Sequence, residues 1–452
     1  MAKLAKSYDC LIVGAGPAGI FATLELLRLG LKKIIIIDKG KSVKKRDPGD
    51  TLSGVGGAGL FSDGKLNFAP IIGKTDLTEF LTLNEAKIII EEIEKTFSRF
   101  GVKEKSYPSN LKKAEEIRRR TKQIGLDLLL IKQKHLGSDK LPVYINKIEN
   151  YLKQKKVTFL LESEVTKLLK KGKKIKGVKL NDGRIVIAEK VIVAPGRVGN
   201  SWLVKELRSL GINLEQKGIE IGVRVEVPEE VMAGLTSIIY DPTIFIRTSS
   251  YDDQIRTFCT NPVGFVVRED YLDFACVNGH ASKNNTSANS NFALLDKVSL
   301  TEPVTNTIAY GESICRLATT LGGGKPLLQR LADFKRRRRS TWSRLKKSYV
   351  EPTLKEVTPG DISMAFPHRI VVNIIEALEA LEKIIPGVAS DSTLLYAPEV
   401  KFFSVRPKVN KNLETTIKNL FVAGDGAGVS GNIVGAAATG IIAARGVAGA
   451  DA

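Results

Sequence analysis

The stretch that decides the fold is YDCLIVGAGPAGIFATLELLRLGLKKIIIID, from Tyr8 to Asp38. An apolar strand runs into GAGPAG at residues 14–19, a helix is predicted from Ile20 to Leu29, and a second apolar strand follows at Lys33 to Ile37. Glycines at such a turn let the backbone approach a pyrophosphate, and the N-terminus of the helix then faces the anion. This order of strand, glycine loop, helix and strand predicts a dinucleotide-binding α/β unit.

Two single positions add to this prediction. Pro17 suits the first turn of a helix, because a residue there needs no N–H group. Asp38 lies 19 positions after Gly19, where a carboxylate can accept hydrogen bonds from an adenosine ribose. The cofactor-binding residues predicted for this unit are Gly14, Gly16, Pro17, Ala18, Gly19, Asp38 and Lys39. The unit by itself fits FAD and NAD equally.

A second strand and glycine loop near the C-terminus favours FAD. Residues 419–428 read NLFVAGDGAG, and a helix of small residues is predicted to follow them through Ala444. The segment resembles the "GD" motif of the large flavoprotein group related to glutathione reductase, and the resemblance implies that Asp425 binds the ribityl and pyrophosphate region of FAD. A helix N-terminus also stabilises negative charge on a reduced flavin, which NAD-only enzymes do not need. The residues predicted here are Gly424, Asp425, Gly431, Asn432 and Ile433.

Two further segments resemble parts of the same flavoprotein group. Strands predicted between residues 157 and 187, followed by VIVAPG at 191–196, resemble its β-meander and "ATG"-type strand, with proline in place of the usual threonine. The glycine-rich stretch GVGGAGLFSDGKLN at 54–67 resembles the segment that wraps the FAD phosphates, and its N–H groups can form an anion-binding nest. The resemblance implies cofactor contacts from Gly56, Gly57, Ser62, Asp63, Val165, Ala194 and Gly196.

All these motifs, with HLGSD at 135–139, APGRVGNSW at 194–202 and LYAPEVKFFS at 395–404, resemble one family. It comprises the poorly characterised FAD-dependent dehydrogenases, also described as NAD(P)/FAD-dependent oxidoreductases. The resemblance spans nearly the whole chain. It implies an α/β fold, with a Rossmann-like FAD-binding domain of a parallel sheet plus a β-meander, and an inserted α+β substrate domain.

Domain boundaries follow from the discontinuity of the motifs. The FAD-binding domain is predicted to comprise residues 1–70, 110–200 and 396–452. Residues 71–109 are predicted to form a helical cover, and residues 201–395 an inserted substrate or cap domain.

Three residues are candidates for catalysis. His135 is a candidate acid or base, Arg197 a partner for a carboxylate or phosphate, and Cys259 a reactive thiol. Each has a structural alternative: a surface histidine, an arginine that holds domains together, and a small core residue. Asn261 stands where the resemblance leads us to expect a second cysteine, which weakens a thiol-pair role for Cys259. The sequence therefore assigns no catalytic residue.

Composition excludes several classes of protein. The chain has 452 residues, of which 43% are hydrophobic, and this excludes disorder and a disulfide-stapled miniature. Its four cysteines lie far apart without a CxxC pair, so neither a metal site nor a disulfide-reductase pair is predicted, and reduced thiols favour a cytoplasmic location. No transmembrane segment is predicted, and the oligomeric state is not predicted.

The net charge of +20 suggests a polyanion-binding surface as an alternative to plain lysine-rich solvated faces. Residues 101–180 carry about +14 of it, and a second cluster runs through residues 335–339. Two functions therefore stay beside the favoured one: an RNA-binding or tRNA-modifying flavoprotein, and a reductase of isoprenoid lipids of the geranylgeranyl reductase kind.

The favoured function is an FAD-dependent oxidoreductase that transfers hydride between flavin N5 and an organic substrate of unidentified structure. No second strand–GxGxxG–helix pattern occurs in the middle of the chain. A dedicated NAD(P)H domain is therefore not predicted, and NAD(P)H is left open as a transient electron donor.

Overall fold

The computed structural model describes residues 7–47, 50, 52–62, 64–137, 140–215, 218–271, 273–282, 285–298, 306–402 and 405–449. These residues separate into two compact units. Unit 1 comprises the described residues of Met1–Lys105, Lys134–Lys217 and Ser404–Ala452, and unit 2 comprises those of Ser106–Gln133 and Gly218–Phe403.

The strands, in chain order, are β1 (Tyr8–Val13), β2 (Ile34–Ile37), β3 (Lys65–Phe68), β4 (Ile71–Ile72), β5 (Thr75–Asp76), β6 (Ser106–Tyr107), β7 (Asp127–Leu129), β8 (Lys132–His135), β9 (Thr158–Leu160), β10 (Val165–Lys171), β11 (Lys174–Leu180), β12 (Ile185–Val193), β13 (Leu214–Glu215), β14 (Ile219–Pro228), β15 (Thr243–Arg247), β16 (Gln254–Asn261), β17 (Phe265–Asp270), β18 (Ala275–His280), β19 (Asn289–Val298), β20 (Leu327–Arg330), β21 (Thr358–Pro359), β22 (Leu394–Phe402), β23 (Arg406–Pro407) and β24 (Leu420–Val422). The α-helices are α1 (Pro17–Arg28), α2 (Leu83–Arg99), α3 (Leu111–Gln123), α4 (Leu141–Gln154), α5 (Asn200–Ser209), α6 (Glu229–Thr236), α7 (Thr307–Leu321), α8 (Leu331–Lys335), α9 (Trp342–Leu345), α10 (His368–Glu382) and α11 (Ile433–Ala448).

Unit 1 is built on a parallel sheet in the order β24-β12-β1-β2-β9. Strand β2 consists of four buried isoleucines, and such a continuous apolar run is typical of a parallel strand that is covered on both faces. Strand β12 is nine residues long. It pairs in parallel with β1 and β24, and its first residues pair antiparallel with β11 in the meander β10-β11-β12. The predicted Rossmann-like sheet with a β-meander is confirmed.

The division into units differs from the predicted domain boundaries at four places, two of them short: residues 201–215 belong to unit 1 and residues 396–402 to unit 2. Residues 71–105 belong to unit 1, because one face of α2 contributes Ile89, Ile93 and Phe97 to its core instead of forming a separate cover. Residues 110–133 belong to unit 2, because Ala114 and Leu128 pack into the core of that unit. The two longer corrections have the same cause: burial of an apolar face decides to which core a segment belongs.

Unit 2 contains an eight-stranded sheet in the order β21-β20-β22-β14-β19-β16-β15-β7. Strand β14 pairs antiparallel with β19 on one side and β22 on the other. Side chains alternate between the faces of a strand, so Ile221 and Val223 join the apolar core with residues of α6, α7 and α10, while Glu220 and Arg224 lie on the opposite face. The sheet of unit 2 therefore has one apolar face and one face of buried charged groups.

Within the part of the chain that the structure describes, no helix combines the length and the hydropathy needed to cross a membrane. The same part contains no group of three histidine, cysteine or acidic side chains placed to hold a metal ion.

Candidate functional site

The first glycine loop of unit 1 is packed so closely that two of its glycines have no room for a side chain. A Cβ atom at Gly14, whose φ is 103°, would lie 2.1 Å from the carbonyl oxygen of Ala194. A Cβ atom at Gly19 would lie 2.0 Å from the carbonyl oxygen of Gly14. Helix α1 begins at Pro17, three residues before the predicted start at Ile20 and at the proline that the sequence marks as suited to a first helical turn. Glycine is thus required at Gly14 by the contact with the segment after β12, and at Gly19 by the contact of α1 with the loop that precedes it.

Gly16 differs from these two glycines because its side-chain position is open. The nearest heavy atom to a Cβ there would be the Cα of Gly57, at 3.8 Å, and its φ is −75°. Gly16 is also the N-cap of α1. Because glycine has no side chain, it cannot cap the first N–H groups of the helix. An anion at this position would complete the hydrogen bonding of these N–H groups.

Asp38 joins two glycine loops. One of its carboxylate oxygens accepts a hydrogen bond of 2.8 Å from the Ala15 N–H, and the other accepts bonds of 2.8 Å from the N–H groups of Gly40 and Gly54. A carboxylate has about four acceptor positions, so one remains for another donor. The predicted ribose contact of Asp38 stays a prediction. The neighbouring Lys39 is exposed and lies 3.8 Å from the Glu164 carboxylate.

Arg46, which the sequence analysis missed, holds the second glycine loop. Its guanidinium group is buried and donates hydrogen bonds of 2.9 Å to the carbonyl oxygens of Val55 and Gly57. It also lies over the ring of Phe61, at 5.0 Å. Burial lowers the pKa of Arg46. An arginine whose partners are backbone carbonyls gives no signal in a sequence, because any residue type can supply those carbonyls.

The second loop contacts the first at several points. The Gly56 N–H donates to the carbonyl oxygen of Ala15 at 2.9 Å, and Gly56 and Gly57 both have positive φ angles. The hydroxyl group of Ser62, a predicted cofactor contact, donates to the Gly59 carbonyl oxygen at 2.7 Å. Asp63 lies outside the described residues.

The C-terminal loop brings Asp425 to Arg197. The Arg197 Nε donates to one Asp425 carboxylate oxygen at 3.1 Å, and the other oxygen, Oδ1, is buried without a hydrogen-bond partner among the described residues. The hydroxyl group of Ser430 in the same loop is also buried and unpartnered there. Buried polar atoms are nearly always hydrogen-bonded in native proteins, so these two atoms are suited to a bound polar ligand.

Asn432 caps helix α11. Its Oδ1 accepts a hydrogen bond of 2.7 Å from the Gly435 N–H, and its Nδ2 donates to the Thr75 hydroxyl at 2.9 Å. Gly431 also donates its N–H to Thr75, and Ile433 is the first residue of the helix. The side chain of Asn432 is therefore occupied by the protein, while the first turn of α11 begins beside the unpartnered Ser430.

The remaining predicted contacts lie at the carboxyl end of β12 and at the start of β10. Ala194 donates its N–H to Val13 at 2.7 Å, and a Cβ at Gly426 would lie 2.1 Å from the Gly196 carbonyl oxygen. The structure thus brings the segments that begin at Gly14, Gly196 and Gly424 together. Val165 is a buried core residue at the first position of β10.

The three catalytic candidates are divided between the two units. Arg197 and His135 belong to unit 1, where His135 is half-buried at the end of β8, and Cys259 belongs to unit 2. Cys259 has a φ of 48°, and its carbonyl oxygen accepts a hydrogen bond of 2.6 Å from Arg224. Arg197 is the candidate that the structure ties to the predicted cofactor site, through its hydrogen bond to Asp425.

Two cysteines that are 39 positions apart in the sequence are neighbours in unit 2. The Sγ atoms of Cys276 and Cys315 are 3.7 Å apart, and both residues are buried and unbridged. Their hydrogen bond and burial raise the pKa of Cys276, which disfavours the reactive thiolate.

Two family models match parts of the chain. Residues 218–402 match the family model described as "FAD-dependent protein, C-terminal domain-like", and residues 122–230 match the model "Pyridine nucleotide-disulphide oxidoreductase". An uncharacterized protein of Clostridium beijerinckii is 26% identical over 472 residues, covering 95% of this chain and 79% of that protein.

Solved structures of low sequence identity are also similar to the chain. A 3-ketosteroid-delta4-(5alpha)-dehydrogenase from Rhodococcus jostii is 12% identical, with a TM-score of 0.46 over 99% of this chain and 98% of the other. A glycine oxidase from Bacillus cereus is 14% identical, with a TM-score of 0.40 over 98% of this chain and 95% of the other. Each of the two models covers less than half of the chain; one describes an FAD-dependent protein and the other an oxidoreductase, so the chain is similar to FAD-dependent oxidoreductases.

Proposed function

We propose that the three glycine loops of unit 1, at residues 14–19, 53–61 and 424–432, bind FAD and that the enzyme oxidises or reduces a small organic molecule. When bound, FAD supplies the hydride-transfer chemistry at its N5 position. The residues of the chain bind and orient the cofactor. A cytoplasmic location stays a prediction from cysteine usage.

The observation that carries this proposal is the open position at Gly16. Gly14 and Gly19 are closed by backbone atoms at 2.1 and 2.0 Å, whereas a Cβ at Gly16 would meet only one atom, at 3.8 Å. The difference is expected where backbone must approach a ligand rather than another part of the protein. The first N–H groups of α1 are then available to a pyrophosphate.

The loop from Gly424 to Asn432 supports the same assignment. Asp425 Oδ1 and the Ser430 hydroxyl are buried without partners in the described chain, and the ribityl chain of FAD carries several hydroxyl groups that could serve both. Arg197 fixes the other carboxylate oxygen of Asp425. The N-terminus of α11 adds the positive end of a helix dipole.

The test is the substitution Gly16→Ala. We expect the variant to fold with an FAD-free melting temperature close to that of the wild type, because the new methyl group meets no protein atom closer than 3.8 Å. Its affinity for FAD should fall at least about tenfold, since the methyl group would occupy space intended for the ligand. FAD fluorescence titration and circular-dichroism melting measure the two quantities.

Two other glycines serve as controls. Gly234→Ala, in helix α6 with no atom within 4 Å of the new Cβ, should leave both quantities unchanged or raise the melting temperature slightly. Gly19→Ala should lower the melting temperature even without FAD, because its Cβ would collide with the Gly14 carbonyl oxygen. FAD affinity that is equal in Gly16→Ala and wild type would contradict the proposed site. A colourless protein with a melting temperature insensitive to FAD would contradict the proposal as a whole.

A further inference from the structure

The polar face of the unit 2 sheet carries a cluster of buried charged groups that the proposed FAD site does not use. It consists of Glu220, Arg224, Arg256, Glu399 and Lys401, and we call it the charged cluster. The strand register places these five residues on one face of the sheet. Glu220 of β14 lies opposite Lys401 of β22. Arg256 lies opposite Leu295 of β19, and Leu295 lies opposite Gly222 of β14, which is on the same face as Glu220 and Arg224. In the sequence, Glu220 lies two residues after the start of the unit 2 segment Gly218–Phe403, and Lys401 lies two residues before its end.

Arg256 is the member with unused hydrogen-bonding capacity. Its Nε and Nη2 donate to the two Glu220 carboxylate oxygens at 2.8 and 2.7 Å, which occupies one edge of the guanidinium group. The remaining nitrogen, Nη1, is buried and has no hydrogen-bond partner among the described residues. Arg256 as a whole is only 5% exposed. A buried cationic N–H group without an acceptor is costly, so this nitrogen points to a missing acceptor.

The ring of Phe258 lies close to two cations of the cluster. The Arg256 guanidinium carbon is 4.6 Å from the centre of the Phe258 ring, and the Lys401 ammonium nitrogen is 5.8 Å from it. Phe258 is half-buried and is the only aromatic residue of β16. The ring offers an apolar surface beside the unpartnered Nη1 nitrogen.

The ion pairs of the cluster leave one positive charge uncompensated. Arg256 pairs with Glu220, and Arg224 and Lys401 both pair with Glu399, at 3.2 and 3.0 Å. Three cations therefore share two carboxylates. Arg224 and Glu399 are fully buried, and the Lys401 side chain is 15% exposed.

Two further groups on this face do not reverse that balance. Lys297, which is opposite Glu220 on β19, is exposed and adds positive charge. Glu226 is bound by the hydroxyl groups of Thr353 and Tyr396, and burial raises its pKa, which favours its neutral form. Buried charges are normally paired, so the cluster is one anion short.

We propose that Arg256 and Lys401, with Phe258, bind the carboxylate group of the organic substrate, so that the enzyme acts on a small organic acid. The carboxylate would accept a hydrogen bond from Arg256 Nη1 and supply the missing negative charge, while the apolar part of the acid contacts Phe258. The assignment of this ligand as the substrate rests on the proposed function.

Benzoate and benzamide test the proposal, because they have the same shape and differ in charge. We expect isothermal titration calorimetry of the FAD-loaded protein to show saturable benzoate binding, and benzamide binding at least about tenfold weaker. The double variant Arg256→Gln/Glu220→Gln keeps a polar pair in place of the ion pair, so no carboxylate is left buried and unpaired. Its benzoate affinity should fall to that of benzamide.

The single variant Glu220→Gln should change affinity in the opposite direction. It removes a competing carboxylate, so benzoate should bind more tightly while benzamide binding stays unchanged. Arg247→Gln serves as the matched control, because Arg247 is an exposed arginine of the same sheet, 64% exposed and paired with Asp252. It should bind benzoate as the wild type does.

The proposal is overturned if benzoate and benzamide bind the folded, FAD-loaded protein with equal affinity, or if benzoate, succinate and acetate all fail to bind it at millimolar concentration. Weaker benzoate binding in Glu220→Gln would also overturn it. Failure of the proposed function would look different, because benzoate would then still bind to a protein that takes up no FAD.

Discussion

At the scale of single residues, Arg46 shows how a glycine loop acquires a fixed shape. A loop with glycines at positions 54, 56, 57 and 59 has little conformational preference of its own. Arg46 supplies donors to the carbonyl oxygens of Asp50, Val55 and Gly57, and its side chain lies against Gly54, where a Cβ would be 2.9 Å from the Arg46 Cδ. One side chain therefore replaces the backbone pairing that a strand or helix would provide.

Replacement of Arg46 by glutamine should destabilise this loop selectively. Several charged hydrogen bonds are lost and cannot be replaced by the shorter amide, so we expect the free energy of unfolding to fall by about 2–4 kcal/mol. Hydrogen exchange of residues 53–61 should accelerate, and FAD affinity should fall with it. Lys45→Gln, at the exposed neighbouring position, is the control and should change neither quantity. Equal urea midpoints for the two variants would refute this role of Arg46.

The sequence predicted which glycines are required. It predicted less readily which residues they contact. Gly14 and Gly19 were predicted from spacing alone, and their contacts at 2.1 and 2.0 Å explain why the spacing is needed. The contact between Cys276 and Cys315 had no sequence signal, because it depends on how α7 packs against β18. Periodicity encodes burial, but it does not encode which buried residues meet.

At the scale of elements, strand β19 and helix α10 of unit 2 enclose a carboxyl group that titrates abnormally. Asp296 is 2% exposed, and its Oδ2 accepts a hydrogen bond of 2.7 Å from Asn373. Burial raises the pKa of Asp296 to about 6. The folded protein therefore holds a proton at Asp296 between about pH 4 and pH 6 that the unfolded chain releases.

The contribution of Asp296 to the free energy of unfolding should consequently fall as pH rises through this range. A shift of about two pKa units corresponds to about 2–3 kcal/mol. We expect Asp296→Asn to match the wild type at pH 4 and to be more stable by about this amount at pH 7.5, in urea unfolding followed by circular dichroism.

Asp253, in the loop before β16, provides a control of opposite sign that contacts the same helix. Its carboxylate accepts hydrogen bonds from Arg369 and Asn373 of α10, and the bond from Arg369 lowers its pKa. Asp253→Asn should therefore lose stability above about pH 4 and lose little below it. Parallel pH dependences for the two variants would contradict the assignment of Asp296.

The sequence predicted the strands and helices of unit 1 more accurately than it predicted to which unit each segment belongs. Strand β2, with four isoleucines, and helix α1, with glycines before it, were predicted from local pattern. Helix α3 was misassigned because its 13 residues bury only Ala114 and Thr121, so its apolar face gives little indication of the core that it joins.

At the scale of the whole molecule, the net charge of +20 divides into paired and unpaired parts. Within residues 335–339, Lys335 lies 3.4 Å from Glu379 and Arg338 lies 2.8 Å from Asp333, so this cluster is partly satisfied inside the protein. The meander differs: Lys167 lies directly opposite Lys179, both are exposed, and neither has a carboxylate within 4 Å in the described chain. Like charges in that position are destabilising, so the meander carries part of the unexplained charge.

The discontinuity of unit 1 leads to a prediction for the whole chain. Its glycine loops come from segments near both ends of the sequence, and they contact each other through Gly56 and Ala15 and through Gly426 and Gly196. A ligand bound to all of them links segments that are more than 400 residues apart in the sequence, such as Gly14 and Gly424. FAD at about 100 times its dissociation constant should stabilise the native state by about 2.7 kcal/mol.

Hydrogen exchange measured by mass spectrometry, with and without FAD, should show where this stabilisation acts. We expect slower exchange in four separate segments, at residues 14–20, 53–61, 194–200 and 424–436, and no change in the hairpin of β17 and β18 in unit 2. A dinucleotide held only by the first loop would instead protect residues 14–20 alone, as expected for a cofactor that does not need the C-terminal segment. Protection confined to that loop would therefore contradict the role proposed for Asp425 and Ser430, because their unpartnered oxygens would remain unpartnered in the complex.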